Sequence, residues 1–262
     1  METTDISYLS LAVGLLLLAI PLYFFHRLGA RLIRSTVTAT VRMVLQLLII
    51  GFYLHYLFEW NNPAINVLWV LIMVLVATFT AAHRTRLRLG TIAVPLFSGL
   101  LATAAVVGMY FLVLVLGLPK PFDARYFVPI MGILMGNMLS VNVIALNAYY
   151  DSLQREQHLY YYLLGNGATH LEAVMPFARQ AVEKSFAPCI ANMAVLGIVS
   201  LPGTMIGQIL GGSAPGIAIK YQMMITVITF SASMLSLMLT LRLADRRSFD
   251  AHGRLRNVRR KS

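Results

Sequence analysis

Charged residues are scarce in this sequence, and acidic residues are the scarcest of them. Lysine, arginine, aspartate and glutamate make up 12% of the 262 residues, whereas they make up about a quarter of a soluble globular domain. Only 10 residues are acidic, against 21 that are basic. No acidic residue lies well inside an apolar segment, so the buried carboxylate on which a proton- or sodium-coupled carrier depends is missing. Such a carrier is therefore not expected.

Cysteine is almost absent as well. The single cysteine, Cys189, excludes a disulfide within the chain and any zinc site built from several cysteines. His170 and Glu172 match the first half of the zinc deaminase signature, but its second half requires a pair of cysteines that this chain does not have. The sequence therefore predicts no catalytic residue and no cofactor-binding residue.

A P-loop for nucleotide binding is also lacking. Such a loop ends in a Gly-Lys pair. The chain has four lysines, and the residues that precede them are Pro119, Glu183, Ile219 and Arg260. The chain is therefore not predicted to be an enzyme. If ATP drives this protein, a separate chain must bind and hydrolyse that ATP.

Apolar residues, in contrast, make up 58% of the chain and fall in long runs. About 20 apolar residues are enough to cross a bilayer as a helix. We therefore predict an all-α, polytopic membrane protein with about seven transmembrane helices, at 6–25, 37–58, 64–82, 91–117, 126–148, 186–210 and 222–243. The residues before the first run include no lysine or arginine, so we expect a retained span rather than a cleaved signal peptide.

Basic residues mark one side of these spans. They follow the first, third and last spans, at 27–34, 84–88 and 246–261, and they are few in the opposite loops. The positive-inside rule then places the N-terminus outside and the C-terminus in the cytoplasm. We expect the protein to lie in a bacterial inner membrane. We expect one transmembrane domain over 1–244 and a basic cytoplasmic tail over 245–262, which interacts with anionic lipid rather than with nucleic acid.

The one long cytoplasmic loop, 149–185, contains a clear helix start. Gly165, Asn166 and Gly167 interrupt the preceding helix. Thr169 and Glu172 then have the spacing of a capping box, in which each side chain bonds the other residue's amide. Because proline disrupts a helix interior, Pro176 predicts a short helix over 170–175 and a second helix that starts at Pro176 itself.

Four sequence blocks resemble one family of membrane proteins. They are SLPGTMIGQILGG at 200–212, AIKYQMMIT at 218–226, VPIMGILMGN at 128–137 and VRMVLQLLIIGFYLHYLF at 41–58. Over residues 37–243 the chain is similar to the FetB family of ABC transporter permeases, described as iron exporters, with plant relatives linked to aluminium tolerance. The resemblance implies a permease that pairs with itself and with two copies of a cytoplasmic ATPase.

The resemblance also implies a coupling helix that docks into the ATPase. In this chain it covers the capped segment after the glycine break: Gly167, Ala168, Thr169, His170, Glu172 and Met175. The exported solute would be iron or a related metal. Two alternatives stay open, namely an ABC permease for a lipid or a sugar nucleotide, and an ATP-independent channel or scaffold.

Polar and sulfur-containing side chains inside the spans are candidates for a solute path. Each also has a structural explanation: an arginine can extend to the interface, amides can bond neighbouring helices and methionines can fill gaps. No metal-ligand set is evident. The candidates are Arg42, Gln46, Asn137, Asn142, Asn192, Met135 and Met138.

Overall fold

The computed structural model describes residues 7–250, 253–256 and 258, and helices account for most of them. Isolated bridges pair Leu196 with Ser200 and Phe249 with Leu255. A single turn of 3₁₀ helix, Leu16–Leu18, joins the first two helices. The helices are α1 (Tyr8–Leu15), α2 (Ala19–Arg27), α3 (Ile33–Trp60), α4 (Pro63–Thr85), α5 (Leu89–Thr103), α6 (Ala124–Arg155), α7 (Gln157–Gly165), α8 (His170–Val195), α9 (Gly203–Leu210) and α10 (Pro215–Ser248).

The structure confirms an all-α polytopic membrane protein. Among the described residues, six helical segments are long and apolar enough to cross a bilayer, and they correspond to six of the seven predicted spans. The segment that begins with α5 continues through two π-helical stretches, Ala104–Gly108 and Tyr110–Val115, and reaches spanning length only with them. The six segments are Leu9–Arg27, Ile33–Trp60, Pro63–Thr85, Leu89–Val115, Ala124–Arg155 and Pro215–Ser248.

The span predicted at 186–210 is not a single helix. After its last charged residue, Lys184, α8 continues only over 185–195, which is about 16 Å of helix and too short for a bilayer. A turn then follows, in which Gly197 takes a positive φ of 83° and its amide donates to the Ser200 carbonyl over 2.9 Å. Pro202 precedes the short helix α9. The glycine and the proline interrupt the apolar run that the sequence presents as continuous.

Contacts between helices give their relative directions. Two bonds join α6 to α10 with increasing residue number in both helices, Asn142 to Ser236 over 3.0 Å and Tyr149 to Asp245 over 2.6 Å. These helices are therefore parallel. Helix α8 is antiparallel to α10, because its start lies beside Phe249 and its Phe186 lies beside Phe230. Together α8 and α9 thus return the chain to the start of α10, and the placement of the N-terminus outside stays a prediction.

Helices α5 and α10 approach each other closely at Gly99. A Cβ atom at this position would lie 2.4 Å from Thr240 Oγ1 and 3.2 Å from the Ser236 carbonyl oxygen. Small residues permit such backbone proximity in membrane proteins. Helix α3 behaves differently, since Leu57 is its only buried residue. The bundle that positions the candidate sites is therefore formed by α4 to α10.

Candidate functional site

The turn between α7 and α8 requires glycine. Gly167 has a φ of 88°, a conformation that side chains with a Cβ atom rarely adopt. The amides of Gly167 and Ala168 donate to the carbonyls of Leu164 and Leu163 at 3.0 and 3.1 Å, which closes the end of α7. The chain reverses here and α8 begins three residues later, at His170.

The capping box at the start of α8 is confirmed. The Thr169 hydroxyl accepts from the Glu172 amide over 3.3 Å, and Glu172 Oε2 accepts from both the amide and the hydroxyl of Thr169 over 2.8 Å. These hydrogen bonds, first from the backbone and then from the side chain of Thr169, lower the pKa of Glu172. The start of α8 is therefore fixed by local contacts.

The predicted restart of the helix at Pro176 is wrong. Helix α8 continues from His170 to Val195 with Pro176 and Pro188 in its interior. An interior proline costs about 3 kcal/mol or more, because it removes a hydrogen bond and presses on the preceding turn. Burial opposes that cost here, since Ala173, Phe177 and Ala181 are at most 2% exposed and pack in a hydrophobic core together with Tyr149 and Leu153 of α6.

The first two turns of α8 have one buried and one exposed face. Leu171 is 62% exposed and Met175 is 46% exposed, and they lie one turn apart, opposite the buried Ala173 and Phe177. An exposed apolar pair of this kind near the start of a helix can fill a groove on another protein. Leu171 was not among the predicted coupling residues, although its spacing from Met175 is a signal for a shared face.

His170 has a different environment from its neighbours. Its Nδ1 lies 2.9 Å from the Tyr160 hydroxyl, which also donates to the Gly253 carbonyl over 2.9 Å. A hydroxyl has only one hydrogen, so Tyr160 can donate to Gly253 and bond His170 at the same time only when His170 Nδ1 is the donor of that pair. Burial raises the pKa of Tyr160 to about 12, which keeps the hydroxyl protonated at neutral pH. The imidazole thus faces the C-terminal segment rather than the exposed face of α8.

The described part of the C-terminal segment is packed against the bundle. Val258 is 1% exposed, and its carbonyl accepts from the Arg88 amide at the start of α5 over 2.8 Å. The Arg256 amide donates to the Ser248 carbonyl over 2.8 Å. The segment therefore contacts the start of α5, helix α7 and the end of α10. Arg259, Arg260 and Lys261 of the predicted tail lie outside the described residues.

A polar cavity of about 280 Å³ lies between α6, α8, α9 and α10. The lining side chains from the first three helices include Asn137 of α6, Asn192 of α8 and Thr204 of α9. Helix α10 adds Gln222 and Thr226. Among the described residues that line it, none is charged. This pocket is partly open to the outside of the bundle, since Asn137, Asn192 and Thr204 are exposed, and it presents amide, hydroxyl and sulfur-containing side chains.

Hydrogen bonds connect the walls of this cavity. The Thr204 hydroxyl donates to Gln222 Oε1 across α9 and α10. Gln222 Nε2 donates to Thr226 Oγ1 over 3.1 Å. Asn137 Nδ2 donates to the Ile133 carbonyl over 2.9 Å, which leaves its carbonyl oxygen as the group that can accept or coordinate. The α9–α10 contact thus depends on a polar pair at the edge of the cavity.

The predicted pathway residues do not all meet. Only Asn137 and Asn192 line the cavity. Asn142 is fully buried and bonds Ser236, as expected of an amide that joins helices. Met135 and Met138 are buried in the core of the bundle. Arg42 and Gln46 lie on a separate groove of α3.

The chain matches the profile of the Uncharacterised protein family (UPF0014) over residues 8–249. It belongs to this family. Its members are represented by the UPF0014 membrane protein YjkA of Bacillus subtilis, which is 29% identical over 95% of this chain and 98% of its own length. With the six apolar helical segments, membership identifies a multi-pass membrane protein.

Two further UPF0014 relatives have more specific names. The "Probable iron export permease protein FetB" of Escherichia coli is 29% identical over 97% of both chains. The "Protein ALUMINUM SENSITIVE 3" of Arabidopsis thaliana is 32% identical over 86% of this chain and 80% of its own length. No solved structure gives a significant match to the chain.

Proposed function

We propose that this UPF0014 protein is the permease subunit of an ABC transporter, driven by a separate cytoplasmic ATPase that docks on the first turns of α8. The observation that carries the proposal is the exposed Leu171–Met175 pair on a capped helix end. The predicted contacts at Gly167, Ala168, Thr169 and Glu172 surround this pair.

The continuity of α8 supports a mechanical role. Its 26 residues form a rod of about 39 Å at 1.5 Å per residue. One end has the exposed pair and the other has Asn192, which lines the cavity. A movement imposed on Leu171 by closure of the ATPase would therefore displace the cavity wall directly, without a joint at Pro176. Access to the cavity would then alternate between the two sides of the membrane.

The name of the E. coli relative supports iron as the solute. We propose export of iron or a related metal by a homodimer of this chain on two ATPase copies. Lipid would cover the remaining apolar surface of α1 to α3, because an apolar stretch of 18 residues in each of their two spans contains no buried residue.

The test combines co-purification with transport. The full-length permease is co-expressed with a P-loop ATPase encoded beside its gene, and ATP-dependent metal export is measured in proteoliposomes. Leu171→Asp and Met175→Asp should each weaken docking by about 2 kcal/mol, or roughly 30-fold, if these side chains are anchors. Gln154→Asp adds the same charge at the exposed end of α6 and serves as the matched control. Undiminished docking and export in both α8 variants would contradict the proposal.

A further inference from the structure

Helix α3 carries a polar stripe inside its membrane span. Thr38, Arg42 and Gln46 follow one another at intervals of four residues, and all three are exposed. They line a groove of about 410 Å³ on the helix surface. Because polar groups at membrane depth normally face protein or water, this stripe is not suited to lipid tails alone. The other lining residues run beside the stripe and are apolar: Val37, Val41, Leu45 and Ile49.

The stripe continues the face by which α3 contacts the bundle. Leu57 is buried, and the centroid of the Tyr53 ring lies 4.4 Å from that of the Trp69 ring of α4. Gln46 precedes Leu57 by 11 residues, and Arg42 precedes Tyr53 by the same number, which is about three helical turns. This face is therefore covered by the bundle near the end of α3 and uncovered in its first half.

Arg42 can reach the membrane surface at the start of α3. The 28 residues of α3 make about 42 Å of helix, so a centred helix extends about 6 Å beyond each side of a hydrocarbon layer of about 30 Å. Arg42 is nine residues after Ile33, the first residue of α3, which places its Cα about 7.5 Å inside that layer. Because helical side chains lean toward the N-terminus, the guanidinium extends toward the headgroups of the nearer leaflet.

The Arg42 guanidinium has no counter-ion within the chain. Among the described residues, none forms a hydrogen bond or an ion pair with it. A second copy of the chain would not supply an acid, because residues 33–58 contain no aspartate or glutamate and none lies well inside the other spans. Two α3 helices that met on this face would also bring two cations together, which is unfavourable. The anion that the surroundings offer at this depth is the phosphate of a lipid.

We propose that the α3 groove binds one anionic phospholipid, with the lipid phosphate on Arg42 and an acyl chain along Leu45 and Ile49. A guanidinium binds phosphate through two parallel N–H···O bonds. The Thr38 hydroxyl, one turn nearer the membrane surface, donates to the headgroup, and the Gln46 amide, one turn deeper, donates to the ester region. The predicted orientation assigns this leaflet to the cytoplasmic side, whose lipids give a negative surface potential.

The shape of the groove agrees with an amphiphile. Its volume of about 410 Å³ lies in the range of about 300–1,000 Å³ that encloses molecules much larger than an ion. Four of the seven lining residues are apolar, and Ile49 extends that apolar row beyond Gln46 into the membrane. A molecule with one anionic group and one long apolar chain matches this arrangement. Such a lipid would cover the polar stripe that the bundle leaves exposed.

The test measures lipid affinity by native mass spectrometry of the full-length permease, purified in detergent and freed of co-purified lipid. Phosphatidylglycerol is the anionic probe, and phosphatidylcholine with the same acyl chains is the zwitterionic one. Phosphatidylglycerol should bind about tenfold more tightly, and Arg42→Gln should remove about tenfold of that affinity by removing a charge-assisted pair. Arg34→Gln removes the same charge from the exposed start of α3, outside the groove. This control should change the affinity by less than about twofold, as expected of an exposed charge.

Several results would overturn this lipid site. They are equal affinity for the two lipids, equal losses in the Arg42→Gln and Arg34→Gln variants, or displacement of the lipid by inorganic phosphate, which would assign the groove to the free anion. Retained lipid affinity in Arg42→Gln together with loss of a permease dimer would assign the face to a second copy instead. If Arg42→Gln does not fold, Arg42→Lys keeps the charge without the two-point fork. It should lose part of the phosphatidylglycerol affinity, and an unchanged affinity would refute the contact.

Discussion

The imidazole of His170 lies edge-on to the ring of Phe249, with the ring centroids 4.5 Å apart and the planes at 70°. The first residue of α8 is thereby held against the residue that follows α10. Tyr160 adds a second link, because its ring lies 5.4 Å from that of Phe249 and its hydroxyl bonds Gly253. A displacement of the α8 start should therefore reach α10 through this aromatic contact as well as through α8 itself.

Phe249→Ala should uncouple ATP hydrolysis from export. Phe249 is 7% exposed, and truncation of a buried phenylalanine typically costs about 3 kcal/mol or more. The loss should appear as a lower unfolding temperature, measured in detergent, and as reduced export at retained ATPase docking. Phe249→Leu keeps most of the apolar volume and should retain more of both properties. Equal export by the alanine variant and wild type would show that the contact transmits nothing.

Thr169→Ala should loosen the first turn of α8. The hydroxyl that caps the Glu172 amide is removed, and loss of such a cap costs about 1 kcal/mol. Faster amide hydrogen exchange is expected in the first turn of α8, with no change in the first turn of α6. Thr169→Ser keeps the hydroxyl and should exchange like wild type. Equal exchange in the alanine and serine variants would contradict a capping role.

The capping box should also depend on pH. The pKa of Glu172 is lowered from 4.5 by hydrogen bonds from Thr169, so folding favours the ionised carboxylate. Its stabilising contribution is then complete above about pH 4.5 and is lost as the pH falls through the lowered folded-state pKa. Comparison of wild type with Glu172→Gln, by exchange at residues 170–175, should give a difference at pH 7 that disappears in acid. A difference that grows on acidification would reverse the sign and refute this account.

Gly99→Ala should separate α5 from α10. The added Cβ would lie 2.4 Å from Thr240 Oγ1 and 3.2 Å from the Ser236 carbonyl, and overpacking of this kind costs about 1–3 kcal/mol. Thr240→Ala in the same chain should recover part of the lost thermal stability, since it removes the nearer atom. Gly136→Ala, where the Cβ would meet nothing within 4 Å, is the control. Equal stability of both alanine variants would rule out a close α5–α10 contact at this position.

The prediction of the spans from sequence succeeded where a single helix crosses. Apolar length alone identified six segments, because each must satisfy its own backbone hydrogen bonds in lipid. It failed at 186–210, where apolar composition continues through a turn. The turn that contains Gly197, with its positive φ, follows the end of α8, and apolar composition alone does not predict that backbone conformation.

The sequence by itself determined what depends on neighbours along the chain. The capping box joins Thr169 to a residue three positions away, so its residues predict it fully. The lack of a Gly-Lys pair is equally local, since the residue before each of the four lysines can be read directly from the sequence.

Only the tertiary structure decided what depends on packing between distant segments. Burial of Ala173 and Phe177 keeps α8 continuous through Pro176, against a local cost that predicts a break. The cavity brings Asn137 and Asn192 together with Gln222, from three different helices, while Asn142 is used to join helices. Local propensity acts over about one turn of helix. A site formed by several helices, and any movement passed between them, require contacts that only the folded bundle creates.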